Sequence, residues 1–104
     1  MADNRRTSTR HAVSLAGTLA LNGNAQPITL MNLSLGGALV AAGTKYSMGQ
    51  HVMVSFQIPT QGEAIEVGAT VRWSDDKATG LQFDGLRARD VWALNKFFEQ
   101  LPSP

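Results

Sequence analysis

Two short stretches of the sequence carry side chains that can recognise a flat, anionic ligand. Arg6 and Arg10 lie near the amino terminus, with three residues between them, in a segment without any apolar pattern. A guanidinium group offers a planar fork of donors that pairs with phosphate, grips the O6/N7 edge of guanine or stacks on a base. Asn32 and Ser34 bring side-chain oxygens to the end of a later strand-like run, and Gly37 permits close approach to the backbone.

Each of these stretches also has a simpler interpretation. Asn-x-Ser before Gly-Gly is a natural turn, stabilised by hydrogen bonds from side chain to backbone. The arginines belong to a locally basic segment, since residues 1–11 hold three arginines and one aspartate, a balance of +2. The remaining residues hold six Lys/Arg against seven Asp/Glu, a balance of −1. A solvated basic tail is therefore the alternative to an anion-binding arm.

The composition indicates one soluble domain. A chain of 104 residues with 43% hydrophobic and 16% charged residues can bury a single apolar core. The absence of cysteine excludes disulfides and cysteine-based metal sites, and it is compatible with the cytoplasmic location that we expect. No run has the length of a signal peptide or of a membrane span.

The hydrophobic periodicity predicts six short strands and one helix. Residues 13–21 alternate strictly, and Asn22-Gly23 then marks a hairpin. A second strand is expected over 27–33, with Pro27 at its start. Further strands are expected over 38–41, 51–58, 65–73 and 79–83, with Trp73 on the apolar face of its strand.

The last segment changes to a helical period. Its apolar side chains share one side, with Trp92 off that stripe; Asp84 is the predicted N-cap and Pro102 the predicted end. We expect a flexible arm over residues 1–10 and, over residues 11–104, an all-β domain with one helix: a six-stranded antiparallel β-barrel plus a C-terminal α-helix.

Catalytic chemistry is poorly supported by the sequence. His11 and His51 lie on unrelated strands, and the two histidines and scattered carboxylates have no metal-site spacing. Asp75-Asp76 is most simply a hairpin turn. No serine lies in a nucleophile elbow or phosphate loop. We expect neither enzyme activity nor a cofactor or metal.

Taken together, the motifs resemble the paired signature of PilZ domains. Arg6-x-x-x-Arg10 is followed about twenty residues later by Asn32-x-Ser34-x-x-Gly37, and Gly80-Leu81-Gln82-Phe83 precedes a terminal helix. The resemblance extends from Arg5 to Leu101. The first motif alone is unspecific, but both halves in this order on this strand pattern are specific.

The resemblance implies a stand-alone bacterial receptor for the second messenger cyclic di-GMP. Carried over from the family, Arg6 and Arg10 would grip guanine and phosphate, while Asn32, Ser34 and Gly37 would line the other side of the ligand. The second motif often begins with Asp, so Asn32 keeps an acceptor but lacks the charge. Arg5, which precedes the first motif, adds a cation and favours a stacked pair of ligand molecules.

Two other functions stay open at this point. One is a PilZ-like module that binds no nucleotide and contacts only proteins. The other is a small barrel that binds single-stranded nucleic acid with its basic arm, although most strand aromatics fall on the apolar faces. In the leading interpretation the arm closes over the ligand, and an unidentified effector protein reads the reshaped surface.

Overall fold

A computed structural model describes residues 10–59 and 64–100, and these form a closed antiparallel barrel with one helix. The elements are β1 (His11–Leu21), β2 (Asn24–Leu33), β3 (Gly37–Ala42), β4 (His51–Phe56), β5 (Ile65–Ser74), β6 (Thr79–Phe83) and α1 (Ala88–Glu99). Around the barrel the strands follow the order β1-β2-β3-β6-β5-β4. The predicted fold class is thereby confirmed. The proposed arm lies outside the described residues except for Arg10, as does Pro102.

The β1–β2 hairpin follows its predicted turn chemistry but begins its second strand early. Asn22 and Gly23 adopt φ values of 53° and 86°, the left-handed conformations that a two-residue hairpin turn requires. β2 starts at Asn24, so Pro27 lies inside the strand, opposite Thr18, and its predicted place at the strand start is wrong. Pairing of β2 with β3 begins only at Ile28. On the β3 side of β2, therefore, no partner strand lies opposite Pro27, and the N–H that proline lacks is not needed there.

Alternating apolar side chains fill the barrel. The fully buried positions recur at every second residue, as the period-two pattern predicts for strands with one face on a core. They include Leu19, Leu30, Val40, Val54, Ile65, Ala69 and Val71.

Helix α1 begins later than predicted. It starts at Ala88 with Arg87 as its N-cap, and Arg87 makes no side-chain capping bond. Asp84, the predicted N-cap, instead accepts from Thr70 Oγ1 at 3.1 Å and lies 2.8 Å from His51 Nε2. Its carboxylate therefore links strands β4, β5 and β6 at the barrel surface, where it cannot also cap α1.

One face of α1 covers the end of the barrel core. Ala93, Leu94 and Phe97 are buried, and Phe98 stacks on His11 with ring centroids 4.0 Å apart. Trp92 is 64% exposed, off the apolar stripe as predicted. Among the described residues, no helix combines the length and apolar character needed to cross a membrane.

The β5–β6 turn is held by Asp75. Its Oδ1 accepts from the backbone N–H groups of Lys77 and Ala78, each at 2.8 Å, and its own N–H donates to the Ala78 carbonyl at 2.9 Å. The two hydrogen bonds to the carboxylate hold the pKa of Asp75 below its ordinary value. The carboxylate therefore stabilises the folded state only when it is ionised.

Replacing Asp75 with alanine is expected to lower the melting temperature at neutral pH and to matter less in acid. Because the folded-state pKa lies below the unfolded one, this stabilisation is present above the unfolded pKa and is lost as pH falls through the folded pKa. Thermal denaturation of wild type and Asp75→Ala across acid and neutral pH measures this. Asp76→Ala, which removes the same charge from the same turn, is the control. A melting difference for Asp75→Ala that is unchanged in acid would contradict this assignment.

Candidate functional site

The corner between β2 and β3 is built by the side chain of Ser34. Its hydroxyl accepts from the backbone N–H groups of Gly36 and Gly37, each at 3.1 Å, and donates to the Gly37 carbonyl at 3.2 Å. The Ser34 N–H also donates to the Gly37 carbonyl, at 2.9 Å. Ser34 is buried, so these bonds satisfy a hydroxyl that would otherwise be costly to desolvate. The turn interpretation of this stretch is therefore correct at the level of local structure.

Gly37 joins this corner to strand β6. A Cβ atom at position 37 would collide with the carbonyl oxygen of Leu81, so only glycine allows the two strands to approach this closely. The Phe83 N–H donates to the Gly36 carbonyl at 2.8 Å and fixes the corner against the same strand. The requirement for glycine thus comes from the packing of β3 on β6.

A bulge in β5 turns two large side chains outward beside this corner. The β5–β6 register shifts between Val71 and Trp73, so Arg72 is an extra residue on β5. The bulge reverses the alternation, and Trp73 is 43% exposed. The prediction that Trp73 continues the apolar face is therefore wrong. Arg72 is exposed as well, so two consecutive residues reach the outer surface.

The Trp73 indole lies directly over Gly80, its cross-strand partner on β6. A Cβ atom at Gly80 would collide with the indole Nε1, so the absence of a side chain makes room for the ring. Gly80 is buried beneath it. Trp73 therefore packs on the bare backbone of Gly80, and its partly exposed ring lines the same cavity as Ser34.

These features line one cavity of about 380 Å³, a size within the usual range for small-molecule sites. Its lining residues are Arg10, Ser34, Gly36, Gly37, Arg72, Trp73, Gly80, Leu81 and Gln82. This set contains two arginines and no acidic residue, which favours an anionic ligand. It also offers an aromatic ring for stacking and the Gln82 amide for hydrogen bonds to a base edge.

The structure brings together three of the six predicted site residues. Arg10, Ser34 and Gly37 line the cavity. Asn32 is half-buried near the end of β2, between Ala12 of β1 and Leu39 of β3, and does not line it. Arg5 and Arg6 lie outside the described residues. Ligand contact by any of the six stays a prediction.

Sequence reasoning missed Arg72, Trp73 and Gln82 as cavity residues. Arg72 and Gln82 fall on outward positions of their predicted strands, which gives no sign of a ligand. Strict alternation placed Trp73 on the apolar face in the prediction, because a β-bulge cannot be recognised from alternation alone. The one available signal was the pairing of a large aromatic residue with a glycine, Gly80, on the neighbouring strand.

Apart from Arg10 and Arg72, the titratable groups that the structure describes do not line the cavity. Within residues 10–59 and 64–100, no three His, Asp or Glu side chains converge in a way that could hold a metal ion. Burial raises the pKa of the Tyr46 hydroxyl, which lies 3.4 Å from Gln26 Oε1. This contact joins the loop between β3 and β4, which contains Tyr46, to Gln26 of β2.

The barrel and its terminal helix form a small domain with a cationic cavity on its surface, and sequence comparison gives the family of this domain. The sequence model of the PilZ domain family matches residues 4–100 of this chain. Because this match covers nearly the whole chain, the chain belongs to the PilZ domain family. The resemblance drawn from the two motifs is confirmed. No curated protein matches the chain.

Solved structures agree on the fold. The Bacillus subtilis inhibitor of motility MotI/DgrA superposes with a TM-score of 0.74 at 19% identity, covering 94% of this chain and 54% of that one. The PilZ domain of CeSA from a cellulose-synthesizing bacterium gives 0.70 at 18% identity, covering 88% and 97%. Borreliella burgdorferi PlzA, in complex with c-di-GMP, gives 0.62 at 20% identity, covering 94% and 37%. The chain spans about half the length of MotI/DgrA.

Replacing Gly80 with alanine is expected to displace the Trp73 indole and to destabilise the fold. The added methyl group occupies the space of the ring, and such overpacking costs about 1–3 kcal/mol. In a Trp92→Phe background, where Trp73 is the single tryptophan, its fluorescence emission should move to longer wavelength and the melting temperature should fall.

Gly85→Ala in the same background is the matched control. Nothing lies within 4 Å of a Cβ atom built at Gly85, so neither the emission nor the melting temperature should change substantially. Unchanged Trp73 emission in Gly80→Ala would contradict the packing of the indole on Gly80.

Proposed function

We propose that this PilZ domain is a non-enzymatic receptor for cyclic di-GMP. The observation that carries the proposal is the cavity beside the Ser34 corner, where two arginines and a tryptophan meet with no acidic side chain among the lining residues. A cyclic dinucleotide has the matching chemistry, because it combines anionic phosphates with flat guanine bases. The proposal is also supported by family membership and by the c-di-GMP complex of PlzA.

Each lining side chain has a distinct task in this proposal. Arg10 and Arg72 pair with phosphate oxygens or with the O6/N7 edge of guanine. The Trp73 ring stacks on a base, and the Gln82 amide bonds to a base edge. Ser34 and Gly37 hold the corner that forms the floor of the cavity, since the Ser34 hydroxyl already bonds to three backbone groups.

The arm completes the site in this proposal. Arg5 and Arg6 precede Arg10, so closing residues 1–10 over the ligand would add two guanidinium groups to the phosphate contacts. Asn32 would supply a hydrogen-bond acceptor once the arm is in place. The domain would act in the bacterial cytoplasm, where an effector protein reads the closed arm.

Replacing Arg10 with alanine is expected to weaken cyclic di-GMP binding about 10- to 100-fold, because a charge-assisted contact to an anion is lost. Arg72→Ala should have a similar effect. Isothermal titration calorimetry with purified protein measures both. Lys77→Ala removes an exposed cation that does not line the cavity, and it should bind as wild type does.

Equal affinities for wild type, Arg10→Ala and Arg72→Ala would exclude the cavity as the binding site. Wild-type protein that gives no heat and no saturable signal would instead favour a PilZ module that contacts only proteins. Salt-sensitive binding of an oligonucleotide, without binding of cyclic di-GMP, would favour the nucleic-acid alternative.

The extra positive charge of Arg5 bears on how many molecules of cyclic di-GMP each chain binds. A stacked pair of ligand molecules places four phosphates in one site, and a third guanidinium in the arm offsets more of that charge. We expect wild-type protein to bind two molecules of cyclic di-GMP per chain and Arg5→Ala to bind one. Calorimetric stoichiometry, checked by the mass of the complex in native mass spectrometry, measures this. One ligand per wild-type chain would contradict the role of Arg5.

A further inference from the structure

The first residues of β1 have fewer strand partners than the middle of that strand. Among the described residues, β1 pairs with β4 only over Gly17–Ala20, so its beginning has β2 as its one neighbouring strand. Only His11 and Ala12 pair with β2 before the register shifts. A bulge follows, because two residues of β1, Val13 and Ser14, then face one residue of β2. Strand pairing alone therefore gives the segment before the bulge little support.

This segment directly follows Arg10, one of the two arginines that line the cavity. Arg10 precedes the first residue of β1 and is exposed. The position of its guanidinium group therefore depends on how firmly the backbone at His11 is held. A backbone that is ordered only when the ligand binds lowers the affinity, because the lost conformational entropy opposes binding. A contact that orders His11 in the free protein thus favours any ligand that pairs with Arg10.

Helix α1 provides such a contact. The His11 ring stacks on the Phe98 ring with their centroids 4.0 Å apart and their planes 19° apart. Both side chains are half-buried, and Phe98 also packs against the apolar core. Since Arg10 lines the cavity and His11 contacts α1, the two neighbouring side chains extend towards different parts of the molecule. The ring stack therefore holds the backbone from the side of α1 while Arg10 stays available to the cavity.

Phe98 itself has a firm support. Ala93, Leu94 and Phe97 of the same helix are buried in the core. The Phe97 ring lies 6.0 Å from the Phe98 ring, at an interplanar angle of 44°. A side chain on a helix that is packed against a core is held more precisely than a side chain on a loop. The stack therefore ties the start of β1 to the packed interior of the domain.

We propose that Phe98 is a positioning residue: by stacking on His11, it holds the start of β1, and with it Arg10, at the cavity. Phe98 does not line the cavity, so it acts on a ligand only through His11 and Arg10. The effect on ligand affinity rests on the proposed function, whereas the effect on the backbone at Arg10 does not. The free energy of one aromatic pair corresponds to about a 3- to 10-fold change in a binding constant.

Two measurements on Phe98→Ala test this role. In ligand-free protein, the ¹⁵N relaxation order parameters of Arg10 and His11 should fall, whereas that of Leu19, which pairs with strands on both sides, should not change. With cyclic di-GMP, calorimetry should show about 3- to 10-fold weaker binding than for wild type. In an Arg10→Ala background, Phe98→Ala should cause no further loss of affinity, because the side chain that it positions is absent.

Three further variants complete the test. His11→Phe keeps a ring at position 11, so it should retain the affinity and the order parameters of wild type. Trp92→Ala removes an exposed ring from the same helix and should also behave as wild type does. Circular dichroism verifies that each variant is folded. If Phe98→Ala does not fold, His11→Ala removes the other ring of the stack and provides the same test.

Unchanged order parameters at Arg10 and His11 in Phe98→Ala overturn the proposal, whether or not a ligand binds. Wild-type affinity in this variant overturns it too, as does an equal loss of affinity with and without Arg10, because a general loss of stability does not depend on Arg10. Wild-type protein that does not bind cyclic di-GMP contradicts the proposed function alone. The order parameters then decide by themselves whether Phe98 positions Arg10.

Discussion

The close approach of β3 to β6 is the constraint on which both the barrel and its cavity depend. Gly37 has no room for a side chain because the Leu81 carbonyl occupies that space, and the Phe83 N–H bonds to the Gly36 carbonyl across the same seam. The Ser34 hydroxyl holds the corner in the conformation that this approach requires. Closing the barrel at this seam therefore also forms the floor of the cavity.

The walls of the cavity come from local departures from regular strand geometry. One extra residue in β5 brings Arg72 and Trp73 to the surface together, and the bare backbone at Gly80 accepts the indole ring. Neither feature disturbs the core, since Val71 and Leu81 beside them remain buried. The side chains that line the cavity are thus added to a barrel whose core is formed by other side chains, a common division between scaffold and site.

The features predicted correctly from the sequence depend on near neighbours, and those predicted wrongly depend on distant ones. Alternation identified the strands because burial repeats every two residues, and Asn22-Gly23 identified a turn by its own backbone preferences. The bulge at Arg72 depends on the register between β5 and β6. Asp84 does not cap α1 as predicted, because its carboxylate contacts His51 of β4 and Thr70 of β5. The paired motifs located the corner, but Trp73 became visible only through cross-strand pairing.

The most direct test of the cavity as a cyclic di-GMP site uses the two tryptophan indole N–H signals of ¹⁵N-labelled protein. Trp73 lines the cavity, whereas Trp92 lies on α1 and serves as an internal control; a Trp92→Phe variant assigns the two signals. During titration with cyclic di-GMP, the Trp73 signal should shift saturably and the Trp92 signal should shift far less. A saturable shift of Trp92 with Trp73 unchanged, or no shift of either signal, would contradict the account.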